Sequence, residues 1–184
     1  MELLVTACVL LIVLTLAVSL SRHVRAQSAR VLTSDVLVRA ERLLDAFLET
    51  QDAGLLDRVT PLILAGEAVG EDGSPEVTAA EDQALLRRAV RNNREWVRLL
   101  TTSLPPELVG SPELLGRLPV SVYDPRSMSL RDAWGTPIVF VRRNHPFLGM
   151  APRDVPFFLS AGPDRRFLTV ADNLYSYEAY PRPN

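Results

Sequence analysis

The chain has 184 residues, enough for one ordinary domain and an appendage but not for two full cores. Its 22 acids nearly balance its 20 bases, leaving a formal charge of -2, so no global field draws it onto nucleic acid and that class of function is set aside. Every base is an arginine, and the single cysteine, Cys8, sits in an apolar run where it can form neither an internal disulfide nor a Cys-rich metal site.

Residues 3–20 (LLVTACVLLIVLTLAVSL) carry no charge. At 1.5 Å per residue such a helix covers roughly 27 Å of a hydrocarbon layer about 30 Å thick, so a transmembrane span is predicted over about residues 3–20. The first glycine is Gly54 and the first proline Pro61, so nothing earlier breaks a helix. Past the apolar run Leu32, Val36, Ala40, Leu43 and Phe47 recur at spacings of three and four, while Arg39, Glu41, Arg42, Asp45 and Glu49 fill other positions. One helix over residues 1–53 is therefore predicted, its first part in lipid and its second against a domain formed by residues 54–184.

Two other readings of the start stand beside this one; a third, the buried helix of a soluble protein, is disfavoured because eighteen uncharged residues exceed what a domain core normally covers. Val24-Arg25-Ala26 has the small-residue spacing of a signal cleavage site, although arginines crowd it and no basic region opens the chain; a plain membrane anchor is the other. Arg22, Arg25 and Arg30 follow the span while Glu2 precedes it, so the positive-inside rule alone places the C-terminal domain in the cytoplasm.

Residues 66–75 (GEAVGEDGSP) form an acidic, Gly-rich turn. A second helix is predicted to follow, capped by Ser74 with Pro75 at the first helical position or by a Thr78/Glu81 capping box, and to run to about Ser103 before Pro105-Pro106. Leu85, Ala89, Trp96 and Leu100 give its apolar face, and Arg87, Arg88, Arg91, Arg94 and Arg98 read as a solvated one. Residues 106–118 form a loop or short helical turn. Ten of the 14 prolines lie from Pro112 onward, separating short β-rich runs at residues 137–142, 156–160, 167–170 and 174–177. An α+β fold follows, with a small antiparallel sheet of three or four strands laid on the amphipathic half of the long helix.

Three stretches of the C-terminal third carry a resemblance. Asp132-Ala133-Trp134-Gly135-Thr136-Pro137 before a strand, then Ser160-Ala161-Gly162-Pro163-Asp164 and Asp172-Asn173-Leu174-Tyr175-Ser176, resemble the ending of type II secretion pseudopilins of the major type, where D-x-W-G-x-P opens the sheet and S-x-G-x-D-G leads into a D-D/N-hydrophobic segment. Met1-Glu2-Leu3-Leu4-Val5 is similar to the back half of that family's F-T-L-I-E-L-L-V. The likeness covers less than half of the chain and is weak over about residues 54–130. It implies a pilin-like fold, a single pass through the inner membrane with the head in the periplasm, and assembly with other pseudopilin subunits and the inner-membrane secretion machinery. By the same resemblance Glu2 takes the place of the membrane-end glutamate that pairs with a neighbouring subunit's amino terminus. Family members carry a short basic leader ending in glycine. Nothing precedes Met1 here, so the gene begins upstream, the chain is trimmed, or this member is not processed.

The resemblance also implies calcium between Asp164 and Asp172, with Asn173 and backbone carbonyls as further oxygens. Against this, the family's glycine after the first aspartate is Arg165, and Arg166 follows; two guanidinium groups there lower cation affinity and could satisfy the acids themselves. Calcium and turn-forming aspartates both stand as readings. Trp134 is expected to plug the core under the sheet and Gly135 to take a positive φ. Two histidines, His23 and His145, give no zinc spacing, and no nucleophile elbow or phosphate loop is present, so no enzyme is expected. The expected function is a structural pseudopilus subunit, with a membrane-anchored interaction protein that borrows the fold without polymerising as the alternative.

Overall fold

The computed structural model describes residues 2–62 and 79–179, with the side chains of 2–9, 79–80 and 153 left aside. One helix, α1 (Glu2–Thr50), runs without interruption, as the absence of any glycine or proline requires. Its two parts live differently. From Leu10 to Leu20 the large apolar side chains are open, Leu14 at 63% exposure, and the helix is long and apolar enough to cross a membrane. From Thr33 onward Val36, Leu37, Ala40, Leu43, Leu44 and Phe47 are fully buried. Full burial of such side chains contributes about 1.5 to 3 kcal/mol each, so this half is held by packing.

A short 3-10 helix (Ala53–Arg58) follows, capped by the Asp52 side chain accepting from Gly54 N–H. The second helix, α2 (Ala79–Ser103), ends where it was predicted to end; its proposed capping residues Ser74, Pro75 and Thr78 lie outside the described residues. Its Trp96, 1% exposed, packs 4.7 Å from the Phe158 ring, and Val97 and Leu100 join the same core. Leu86 and Val90, one residue on from Leu85 and Ala89, are exposed. One turn, α3 (Pro106–Val109), comes next.

The β structure forms two antiparallel sheets. A hairpin of β1 (Tyr123–Asp124) and β2 (Ser129–Leu130), missed in the sequence, is closed by Asp124, which accepts from Arg126 N–H and the Ser127 hydroxyl. The larger sheet has the order β3 (Val139–Val141), β4 (Phe157–Ser160), β5 (Leu174–Tyr175), with Phe140 opposite Phe158 and Leu159 opposite Tyr175. The predicted run at residues 167–170 is a turn, not a strand. Phe167 alone is buried there, and Thr169 N–H and Asp172 N–H donate to carbonyls three residues back, which winds the segment up. After β5 the chain ends its described course in one helical turn, α4 (Ser176–Ala179). The fold is therefore α+β, a long apolar helix with small antiparallel sheets.

Two buried cores result. One lies where α1, α2 and the inner faces of Phe140 and Phe158 meet; the other collects Leu62, Ala89, Val139, Phe157, Leu159 and Tyr175 on the opposite side of the sheet. Both faces of β3 and β4 are thus covered, which is why these strands are apolar at consecutive positions rather than alternately.

Candidate functional site

The first candidate group is the turn from Asp132 to Thr136. Gly135 N–H donates to Asp132 O at 3.0 Å and Asp132 N–H to Thr136 O at 2.9 Å, which closes the loop between β2 and β3. The Asp132 side chain ties it from within. Its Oδ1 accepts from Trp134 N–H (3.0 Å) and Thr136 N–H (2.8 Å), and its Oδ2 from the Ser160 hydroxyl (2.8 Å). The carboxyl is 2% exposed, and burial pushes its pKa above the ordinary aspartate value despite the donors around it. Ala133 N–H donates to Thr33 Oγ1 at 3.1 Å, fastening the turn to α1.

Gly135 has φ 84, as the sequence suggested, with nothing within 4 Å of where a Cβ would stand, so its role is conformational alone. Trp134 is not the expected core plug. It is half-buried and outside both cores; the fully buried tryptophan is Trp96 of α2, whose indole N–H donates to Ile138 O at 3.0 Å.

The second group is the loop from Gly162 to Asn173. Gly162 has φ 67, and a Cβ on it would meet Asp172 O at 2.0 Å, so the two ends of the loop touch through this residue. Asp164 is exposed and its Oδ1 accepts from Arg166 N–H at 2.9 Å, an Asx turn. Arg165, which stands where the pseudopilin pattern has glycine, keeps a left-handed backbone with φ 62, at a cost of about 1 to 2 kcal/mol for a residue with a Cβ. The Arg166 guanidinium pairs with Asp82 of α2 at 2.9 Å rather than with Asp164 or Asp172.

These residues do not fit calcium. A calcium ion takes six to eight oxygens. Asp164 already accepts a backbone N–H, the Asp172 carbonyl is pressed against Gly162, and Asn173 is turned to the interior, its Nδ2 donating to Phe167 O at 2.8 Å and its side chain lying beside the Tyr175 hydroxyl. Among the described residues no three or more Asp, Glu, His or Cys side chains gather so as to hold a metal. Of the two readings of the aspartates, turn formation is the one this geometry favours.

The sequence reading missed two neighbouring amides, Asn92 and Asn93 of α2, both fully buried. Asn92 Oδ1 accepts from Phe140 N–H (2.8 Å) while its Nδ2 donates to Phe140 O (3.0 Å) and Thr60 O (2.7 Å). Asn93 treats Leu130 in the same way, accepting its N–H at 3.2 Å and donating to its carbonyl at 2.7 Å and to Ile138 O at 2.6 Å. Each amide thus replaces a neighbouring strand. The signal was available: asparagine is a poor helix former, and two on the apolar side of a helix need buried backbone partners. Glu41 was assigned to the polar side of α1 but is 2% exposed, because it shares a face with Leu37 and Leu44, four and three residues away.

Comparison with models of known protein families, with curated proteins and with solved structures found no match. The pseudopilin resemblance therefore stands on its motif residues alone. Of those, Asp132, Gly135 and Gly162 occupy positions where the backbone demands the residue present, whereas the side chain of Glu2 lies outside the described ones.

Proposed function

We propose that this chain is a structural subunit of a type II secretion or type IV pilus-like pseudopilus, anchored once in the inner membrane with its head in the periplasm. In this reading it assembles through its N-terminal helix with other pseudopilin subunits, and the inner-membrane secretion machinery works the filament. The observation that carries the proposal is the division of one unbroken helix: α1 is apolar and open over Leu10 to Leu20, then gripped on its other half by an α+β head. A helix of that kind needs a second apolar environment for its first half, which lipid supplies before assembly and neighbouring helices supply after it. The turn Asp132–Thr136 and the Gly162 contact with Asp172 add support, since the motif residues sit where their side chains or their lack of one are required.

Glu2 is the proposed assembly residue, through a charge pair with the amino terminus of a neighbour at the membrane edge. The test is electron microscopy of filaments sheared from cells overproducing the protein, with intact mass and N-terminal sequencing of the membrane form. Filaments bearing a processed, N-methylated terminus, lost on Glu2→Ala while the head stays folded, are the expected result. Discrete monomers in the membrane, unchanged by Glu2→Ala, would overturn it in favour of an anchored interaction protein that does not polymerise.

A further inference from the structure

Past the apolar run of α1 come Arg22, Arg25 and Arg30, all exposed. Residues 3–34 contain no acid, so these guanidinium groups have no carboxylate three or four positions away on their own helix. Asp35, the first acid beyond them, is taken by Arg39 at 2.7 Å. Arg22 and Arg25, three residues apart, share a helix face and repel one another.

The charged groups where the head meets α1 do not cancel this charge. The turn before β3 fastens to α1 at Thr33, whose Oγ1 accepts from Ala133 N–H, and Thr33 lies about 12 Å along the helix axis from Arg25, beyond a Debye length of about 8 Å. In that turn Asp132 is buried and closed by three donors, while Arg131 beside it is a further exposed cation. The outer loop sets Arg165 and Arg166 against Asp164 and Asp172.

Depth decides the partner. A bilayer has about 30 Å of hydrocarbon within about 40 to 45 Å in all, so each headgroup layer is about 5 to 7 Å thick. With the hydrocarbon ending at Leu20, Arg22 stands about 3 Å and Arg25 about 8 Å beyond it, at the level of the lipid phosphates. Arg30, about 15 Å out, adds attraction from above that layer. An acidic protein would have to displace headgroups to reach the first two, whereas a phosphate is already there, and the guanidinium fork matches it with two charge-assisted hydrogen bonds.

We propose that Arg22 and Arg25 form a binding site for the phosphate of anionic phospholipids, which gather around this end of the span and fix its depth. A zwitterionic lipid carries a phosphate too, but its own ammonium group offsets it, so the site favours a headgroup of net negative charge. The inference rests on the reading of α1 as a membrane span, not on a role in a filament, and holds with the head on either side of the bilayer.

The experiment is native mass spectrometry of the full chain released from detergent micelles holding equal amounts of dioleoylphosphatidylglycerol and dioleoylphosphatidylcholine. Carbonate extraction from bilayers of the same mixture checks insertion separately. Expected is a chain that resists extraction and retains phosphatidylglycerol over phosphatidylcholine by about fivefold for each of the two arginines, the equivalent of about 1 kcal/mol apiece. Arg22→Gln with Arg25→Gln removes the preference, whereas Arg94→Gln with Arg98→Gln, the same loss of charge at exposed positions of α2, keeps it. Equal retention of the two lipids by a chain that resists extraction would overturn this proposal and leave the span standing; release by carbonate would overturn both. Loss of the preference in the α2 variant assigns it to overall charge, its survival in the Arg22/Arg25 variant places it elsewhere, and competition by millimolar inorganic phosphate marks a free-anion site, each against the proposal.

Discussion

The head contains two aspartate turns made with the same local chemistry and put to different uses. Asp132 and Asp164 each accept the backbone N–H of the residue two positions on, and each turn holds a left-handed residue, Gly135 in one and Arg165 in the other. The first aspartate is buried and also takes Thr136 N–H and the Ser160 hydroxyl, so its turn is joined to β4; the second is exposed and takes one backbone N–H. An Asx turn by itself is a weak local preference. It becomes a structural fixture when burial removes the water that could otherwise replace the carboxylate.

The largest effect that separates the two turns is expected from truncating each aspartate. Asp132→Ala leaves Trp134 N–H, Thr136 N–H and the Ser160 hydroxyl without their acceptor and should cost about 3 to 5 kcal/mol, in line with the loss of a buried polar network. Asp164→Ala at the surface should cost under about 1 kcal/mol. Urea denaturation of the two variants gives the comparison directly, and similar losses would show that the burial difference does not govern these turns.

The glycines sharpen the same contrast with a smaller effect. Gly162→Ala places a Cβ 2.0 Å from Asp172 O at φ 67, so the loop ends must part, at a cost of about 2 to 3 kcal/mol. Gly135→Ala meets no neighbour and carries only the left-handed penalty, about 1 kcal/mol. Should the two alanine variants melt together, the close approach of Gly162 to Asp172 is not a constraint in solution.

How much of this was legible beforehand depended on whether the deciding physics was local. The length of α1 was legible because helix breaking is a property of single residues, and residues 2–50 contain no glycine or proline. Gly135 was legible because a D-x-W-G turn needs a left-handed residue. Trp96 was legible from helical spacing, whereas Trp134 was misplaced because hydrophobicity says that an indole is buried without saying where a turn points it. Residues 167–170 read as a strand from composition, but the touching of Gly162 and Asp172 closes the loop too tightly for an extended run. Asn92, Asn93 and Glu41 depended on which backbone or face packs opposite, and that information is long-range.

Charge rather than covalent structure distinguishes the turns in a third, milder test. Because desolvation raises the Asp132 pKa, the folded state holds that proton more tightly than the unfolded chain does. The sign follows: the contribution of Asp132 to stability is fully present below the ordinary aspartate pKa and is lost as pH rises through the raised folded value. Asp132→Asn keeps an acceptor for the two backbone N–H groups and removes the titration, so wild-type stability should fall relative to this variant across that window. Denaturation midpoints that stay parallel with pH would place the Asp132 pKa at its ordinary value.

The smallest expected effect, none at all, bears on what the outer turn is for. If Asp164 and Asp172 were a calcium site, the ion would bind the folded head and not the unfolded chain, and saturating calcium would raise the melting temperature by mass action. The donor arrangement argues otherwise, since one Asp164 oxygen serves the Arg166 amide, Asn173 faces Phe167 and Tyr175, and the Arg165 backbone already holds the left-handed bend. Melting curves in excess calcium and in excess chelator should therefore superimpose, for the parent chain and for Asp172→Asn alike. A calcium-dependent rise abolished by Asp172→Asn would mean that the loop reorganises around the ion, with the carboxylates leaving their present partners, and the outer turn would then be the ligand-dependent one of the pair.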